Sequence, residues 1–166
     1  MALFLSFLLP LLSFAAGCDD TGKIYRHCQD QKQIYEEALK KAEGENQMML
    51  VSFGADWCPW CRSLHTLMVV ERESHKIAGK AVIEEIALYK DQDKIPSGWA
   101  VLDEVAGYSK AKVDKEGIPL LAVVNPKNKK ASFIDTSKIE KNTKVSKGHD
   151  VKKLASAVKK AMAAVK

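Results

Sequence analysis

A chain of 166 residues, 46% apolar and 28% charged, is the size of one ordinary globular domain and can bury a core without disulfide staples, so its four cysteines need another reason. The formal net charge is +5 and it is uneven: from Lys127 to the end, twelve lysines stand against three acidic residues. No aromatic residue is interleaved with the lysines of the final helical stretch, so nucleic-acid binding has little support, and a lysine-coated, solvated surface is preferred over a patch for anionic lipid or an acidic partner.

The chain opens with MALFLSFLLPLLSFAAGCDD. Residues 2–17 carry no charge, but the run is short for a membrane-spanning helix of about 20 residues, and Pro10 interrupts it. Residues 1–17 read as a signal peptide whose positive n-region is supplied only by the amino terminus. Ala15-Ala16-Gly17-Cys18 resembles a bacterial lipobox, with Ala15 where Leu is preferred. Two readings of Cys18 stand: lipidation, with Asp19 favouring retention at the inner membrane, or plain secretion, with Cys18 free to pair with Cys28. In both, the mature protein leaves the cytoplasm for a compartment where disulfides persist, periplasmic and membrane-anchored or secreted.

Residues 18–30 are polar, lack apolar periodicity and read as a tether ahead of a domain at 31–166. QKQIYEEALKKAEGENQ places Ile34, Ala38, Leu39 and Ala42 at helical spacing, with Gly44 and Asn46 as the stop. MMLVSF (Met48 to Phe53) is a buried strand. The helix that follows Cys61 is expected to end near Lys76. Ala81 to Tyr89 is a second strand, a polar loop with Pro96 and Gly98 follows, and Trp99 to Val113 forms a helix weakened by Gly107. Leu120 to Val124 is a third strand, Asn125-Pro126-Lys127-Asn128 a turn, ASFIDT a fourth strand, and His149 to Lys166 an amphipathic helix. Strands alternating with helices predict an α/β fold whose central mixed sheet is mostly parallel and flanked by helices.

The chemistry sits in ADWCPWCRSL, residues 55–64. A strand leads through Gly54 and Ala55 to Cys58 at a helix start, where unsatisfied N–H groups and a partial positive charge stabilise a thiolate. Pro59 suits the first helical position, which needs no N–H. Cys61, one turn on, is close enough to attack a mixed disulfide formed by Cys58, leaving a Cys58–Cys61 disulfide; the reverse direction oxidises a dithiol. A zinc site would need two more ligands, and no second Cys-X-X-Cys or His pair exists; Cys18 and Cys28 lie ten apart, and His65 shares a helix with Cys61. A purely structural bridge over so short a loop would constrain little of the unfolded chain. A binding module without turnover remains the third alternative.

From about Gln33 to Lys166 the chain resembles the thioredoxin superfamily, on LVSFGADWCPWC, the helix after it, GIPLLAVVNP about sixty residues later, and the final amphipathic helix. Within it, the long first helix and ASFIDTSKIEK look most like secreted thioredoxin-like proteins related to bacterial disulfide reductase domains. The resemblance implies that Ile118-Pro119 is the family's cis-proline loop facing the cysteine pair, that Ile118 pairs its backbone with substrate, and that Trp57, Trp60 and Pro119 shape the substrate groove. It implies no metal or organic cofactor, protein or peptide thiols and disulfides as substrates, and a redox partner protein that supplies or accepts electrons.

The departures from the family matter. Ser52 stands where cytoplasmic thioredoxins bury an Asp, so the proton released during resolution must go to another group or to water; Asp56 is nearby in sequence. Trp60 stands where strong oxidants carry His, Arg62 reads as a solvated arginine, and His65 as a satisfied or exposed helix histidine. These points lean toward a reductase, with a disulfide oxidase or isomerase, or a non-catalytic adaptor or holdase, as alternatives.

Overall fold

The protein is described from a computed structural model, which covers residues 18–72, 77, 79–141 and 148–166. The expected signal peptide therefore lies outside the described residues. Among the described residues, no helix is long and apolar enough to cross a membrane.

Helix α1 (Gln31–Gly44) starts where the Asp30 carboxylate accepts from the Gln33 N–H at 2.9 Å, and it ends before Asn46, which takes a left-handed φ of 55°. Strand β1 (Met49–Gly54) is buried throughout, as a central strand must be. Helix α2 (Pro59–His65) widens into a π-helical turn at Thr66–Val70, where the Glu71 N–H reaches back to the Thr66 carbonyl. The regular α-helix is thus shorter than expected, and residues 73–76 are outside the described set. Strand β2 (Val82–Ala87) follows, then a small hairpin of β3 (Tyr89–Lys90) and β4 (Asp93–Lys94) in what reads from sequence as a loop. Helix α3 (Pro96–Gly107) begins three residues before the expected Trp99, because Pro96 fills its first turn, and it stops at Gly107. Strands β5 (Leu120–Asn125) and β6 (Lys130–Ile134) form a hairpin, a 3₁₀ turn spans Thr136–Ile139, and helix α4 (Val151–Ala164) is capped by Asp150, whose carboxylate accepts from the Lys152 and Lys153 N–H groups.

The sheet order is β2-β1-β5-β6. It is mixed, but the expectation that it is mostly parallel does not hold: β1 and β2 are parallel, whereas β5 runs antiparallel to both β1 and β6. The reason lies after α3. The chain returns along the outer edge of β6, bridging it at Ser109↔Ala131, so β5 begins at the end of the sheet where β1 finishes: Leu120 sits beside Phe53. One face of the sheet (Met49, Val51, Phe53, Ala122, Val124) packs on α1 and α3, and the other (Leu50, Leu121, Val123, Ile134) on α2 and α4, as period-two alternation requires. The lysines of α4 point to solvent, while Leu154, Val158, Ala161 and Val165 face the core.

Residues 18–30 do not form a loose tether. Cys18 and Cys28 are disulfide-bonded, Arg26 pairs with Glu84 at 2.7 Å, and Tyr25 is fully buried. The buried amide of Gln31 latches the segment: its NH₂ donates to the Arg26 and Gln29 carbonyls at 2.7 and 2.8 Å, and its carbonyl accepts from the Ala87 N–H on β2 at 2.7 Å. A long-range aromatic anchor and a disulfide order a stretch that has no periodicity of its own.

Candidate active site

β1 delivers the chain through Gly54 and Ala55 to a tight turn, with the Cys58 N–H on the Ala55 carbonyl at 3.1 Å. Cys58 is the N-cap of α2: its backbone is extended, and its Sγ accepts from the Cys61 N–H at 3.1 Å. Pro59 holds the first helical position. That hydrogen bond and the positive end of the helix both favour negative charge on the Cys58 sulfur. Cys58 and Cys61 form a disulfide with Cα atoms 5.2 Å apart. Cys58 retains 3% exposure and Cys61 none, so the first can meet a substrate and the second cannot.

The Ile118–Pro119 bond is cis, and the Ile118 carbonyl oxygen lies 3.7 Å from Cys58 Sγ. The Thr136 hydroxyl donates to the Pro119 carbonyl at 2.9 Å, fixing this loop from the segment after β6. Trp60, Ile118 and Pro119 line one groove of about 860 Å³ together with Phe133 and His149. Trp57 is not part of it. It is 44% exposed and meets Tyr89 of the β3–β4 hairpin edge-on at 6.0 Å, on a different wall of the site. Arg62 donates to the Asp56 carbonyl at 2.7 Å, so its guanidinium is tied to the turn before Cys58.

Several site residues have no local sequence signal. His149 is 2% exposed and packs edge-on against Trp60 at 5.6 Å, and its backbone N–H reaches Ser63 Oγ at 3.3 Å. Burial pushes its pKa down, so at neutral pH it brings no positive charge to the tryptophan. Tyr25 reaches the buried side of the cysteine pair, where its hydroxyl lies 3.3 Å from Ser52 Oγ. His65, read as a satisfied or exposed helix histidine, is the satisfied kind: it is paired with Glu85 at 2.9 Å. Asp56 spends one carboxylate oxygen on the Ile24 N–H at 2.8 Å, tying the N-terminal segment to the site.

Cys18 sits in its disulfide with Cys28, and a sulfur so bonded cannot carry a lipid thioether; of the two sequence readings, the geometry goes with pairing. One group among the described residues could offer three metal ligands, Cys18, His27 and Cys28, but its two sulfurs are bonded to each other.

A family profile described as thioredoxin-like matches residues 30–126. Among solved structures, the chain is similar to a disulphide isomerase from Xylella fastidiosa Temecula1, with 21% identity, 79% of this chain and 82% of that chain covered, and a TM-score of 0.47. No curated protein sequence matches the chain.

Proposed function

The chain belongs to the thioredoxin-like family, and on that premise we propose that it is an exported thiol–disulfide oxidoreductase working through Cys58 and Cys61, with a lean toward reduction. The observation that carries the reading is Cys58 itself: a helix N-cap sulfur that accepts the Cys61 N–H, stands 3.7 Å from the Ile118 carbonyl, and has its partner thiol one turn away. In the reducing direction the Cys58 thiolate attacks one sulfur of a substrate disulfide, and the other leaves as a thiolate. Cys61 then attacks Cys58, releasing the second substrate sulfur and closing the Cys58–Cys61 bond. Two substrate sulfurs gain the electron pair that the two cysteines lose. An extended protein or peptide segment fits the groove lined by Trp60 and Pro119, with the Ile118 backbone available to pair with it. A redox partner protein restores the dithiol.

The lean toward reduction is supported at Trp60. Strong oxidants gain from a charge that stabilises the reduced thiolate, and here the neighbour of Cys58 is an indole packed on a histidine that burial keeps neutral. Export is supported by residues 1–17 and by a second disulfide, Cys18–Cys28, of the kind that persists outside the cytosol. The mass of the mature N-terminus separates a disulfide-bonded Cys18 from a lipidated one anchored at the membrane.

Equilibration of the purified domain with glutathione buffers, together with insulin reduction and oxidation of a reduced substrate, tests the direction. A potential near about −270 mV supports a reductase and one near about −120 mV an oxidase. Exchange in neither assay, with peptide binding retained, would make the protein an adaptor or holdase.

A further inference from the structure

With Ser52 where the family buries an acid, strand β1 offers the Cys61 thiol no carboxylate to take its proton. Behind the disulfide, however, the fold gathers polar groups that the substrate groove does not use. Ser52 on β1 and Glu85 on β2 are register partners in a parallel pair, so their side chains leave the sheet on the same face, the one α2 covers. From α2, Cys61 and His65 lie one turn apart on one side, and His65 Nδ1 sits 3.0 and 2.9 Å from the two Glu85 carboxylate oxygens. From the N-terminal segment, the Tyr25 hydroxyl meets Ser52 Oγ at 3.3 Å. A Cβ placed on Gly54 would lie 2.4 Å from Tyr25 Oη and 2.8 Å from Cys61 Sγ, so the missing side chain lets hydroxyl and sulfur share one small space. The Tyr25 hydroxyl, in contact with Ser52, thus shares its space with the Cys61 sulfur, and Ser52 stands in register beside Glu85.

The charges around Glu85 suit an acceptor. Burial pushes its carboxyl pKa up, the His65 ring pulls it back, and Glu84 and Asp56 push it up further. Glu84 is held by Arg26 at 2.7 Å, and Asp56 also faces His27 at 3.9 Å. Burial, followed by the Glu85 charge, pushes the Tyr25 phenol up, so its O–H stays intact as a donor. On its far side Glu85 lines a second groove of about 600 Å³, whose charged walls include Arg26, Arg72, Lys41, Glu45 and Lys80. Solvent thus reaches Glu85 without passing the substrate.

We propose that Glu85, held by His65, is the proton acceptor for Cys61, reached through the Tyr25 and Ser52 hydroxyls, and that the proton leaves through the groove behind β2. The proposal rests on the oxidoreductase reading. In the resolving step the Cys61 S–H bond breaks and its proton passes along the hydroxyls to the Glu85 carboxylate. The sulfur's electron pair forms the bond to Cys58, the bond between Cys58 and substrate breaks, and the substrate departs as a thiolate that takes a proton from water. Glu85 then gives its proton to solvent. Because Glu85 acts through the hydroxyls, it is a positioning residue, and Tyr25 is the group beside the reacting sulfur.

The test uses the full chain, its Cys58–Cys61 pair reduced and its Cys18–Cys28 bridge kept, with 5,5′-dithiobis(2-nitrobenzoate) in stopped flow. The first thionitrobenzoate released reports attack by Cys58, and the second reports resolution by Cys61. Glu85→Gln keeps a partner for His65 but cannot take a proton. We expect attack, measured alone in Cys61→Ser, to be unchanged by Glu85→Gln. Resolution at pH 7 should fall by about a hundredfold and recover as pH rises and hydroxide takes over, with Tyr25→Phe showing a smaller loss of the same form. Separately, in Cys58→Ser, the Cys61 ¹³Cβ signal should titrate in two coupled steps that collapse to one in Glu85→Gln. That signal needs no turnover, so it stands even if wild-type exchange, and with it the oxidoreductase reading, were to fail. Resolution profiles that superimpose at every pH, a loss that does not vary with pH, or an unchanged Cys61 titration each overturn the proposal.

Discussion

Cys58 and Cys61 sit one helical turn apart, yet they face different parts of the molecule. Cys58 lies beside the Ile118 carbonyl and near Trp60, two residues that line the substrate groove. Cys61 is sealed on the opposite side by Tyr25, with Ser52, Glu85 and His65 behind. The front side is closed by elements that follow the cysteines in sequence, the back side by Tyr25 and Ser52 from before them together with His65 and Glu85 from after. The contrast teaches that the two sulfurs need different things: the nucleophile needs access and a stabilised charge, the resolving thiol needs exclusion of competing thiols and a place for its proton.

The largest expected effect separates the two sulfurs directly. Cys58→Ser should abolish exchange, because no other described thiol reaches the groove. Cys61→Ser should still attack but stall as a mixed disulfide, visible as a covalent adduct by mass spectrometry. Equal accumulation of adduct in both variants would erase the distinction between front and back.

A smaller effect is expected from the staple of the back side. Converting Cys18 and Cys28 together to serine removes a bridge across ten positions, and the chain-entropy relation gives a loss of about 2–3 kcal/mol, readable in urea unfolding. Cys58 attack should persist while the Tyr25 environment loosens, seen as faster hydrogen exchange at Ile24 and Tyr25. Smaller again, Gly54→Ala tests how tightly Tyr25 and Cys61 share their space. Its methyl would collide with both, and neither is exposed, so overpacking should cost about 2 kcal/mol and slow resolution more than attack. An alanine accepted without loss would mean that the back side is loosely packed.

What could be read from the sequence follows from how local each signal is. The Cys-X-X-Cys at a strand–helix junction, the continuous apolar run of β1, and the apolar stripe of α4 depend on neighbours a few residues away, and all appear where expected. Ile118-Pro119 was legible through the family resemblance, and the structure brings it to Cys58. The back side was not legible. Tyr25 is one aromatic residue in a polar stretch, and its burial is decided by contacts with β1, β2 and α2 far along the chain. Glu85 reads as one of two consecutive acids in AVIEEIALY; only the parallel register beside Ser52 turns it inward toward His65. The direction of β5 was missed because the return path along β6 has no helix or strand pattern to mark it.

His149 carries the smallest predicted effect, and it belongs to the front side. Its ring is 2% exposed against Trp60, and no partner for Nδ1 is found among the described residues. Burial lowers its folded-state pKa below the ordinary value of 6.5, so the folded protein binds fewer protons here than the unfolded chain. Linkage then requires that stability be unaffected above about pH 6.5 and decline as pH falls below it, because the unfolded state alone takes up the proton readily. His149→Phe, which keeps an aromatic ring against Trp60 and cannot titrate, should flatten the slope of unfolding free energy between about pH 6.5 and 5. The Cys18–Cys28 and Gly54 variants should leave that slope in place. A His149→Phe protein whose stability still falls with the wild-type slope would move the acid sensitivity away from the front groove and toward other titrating groups.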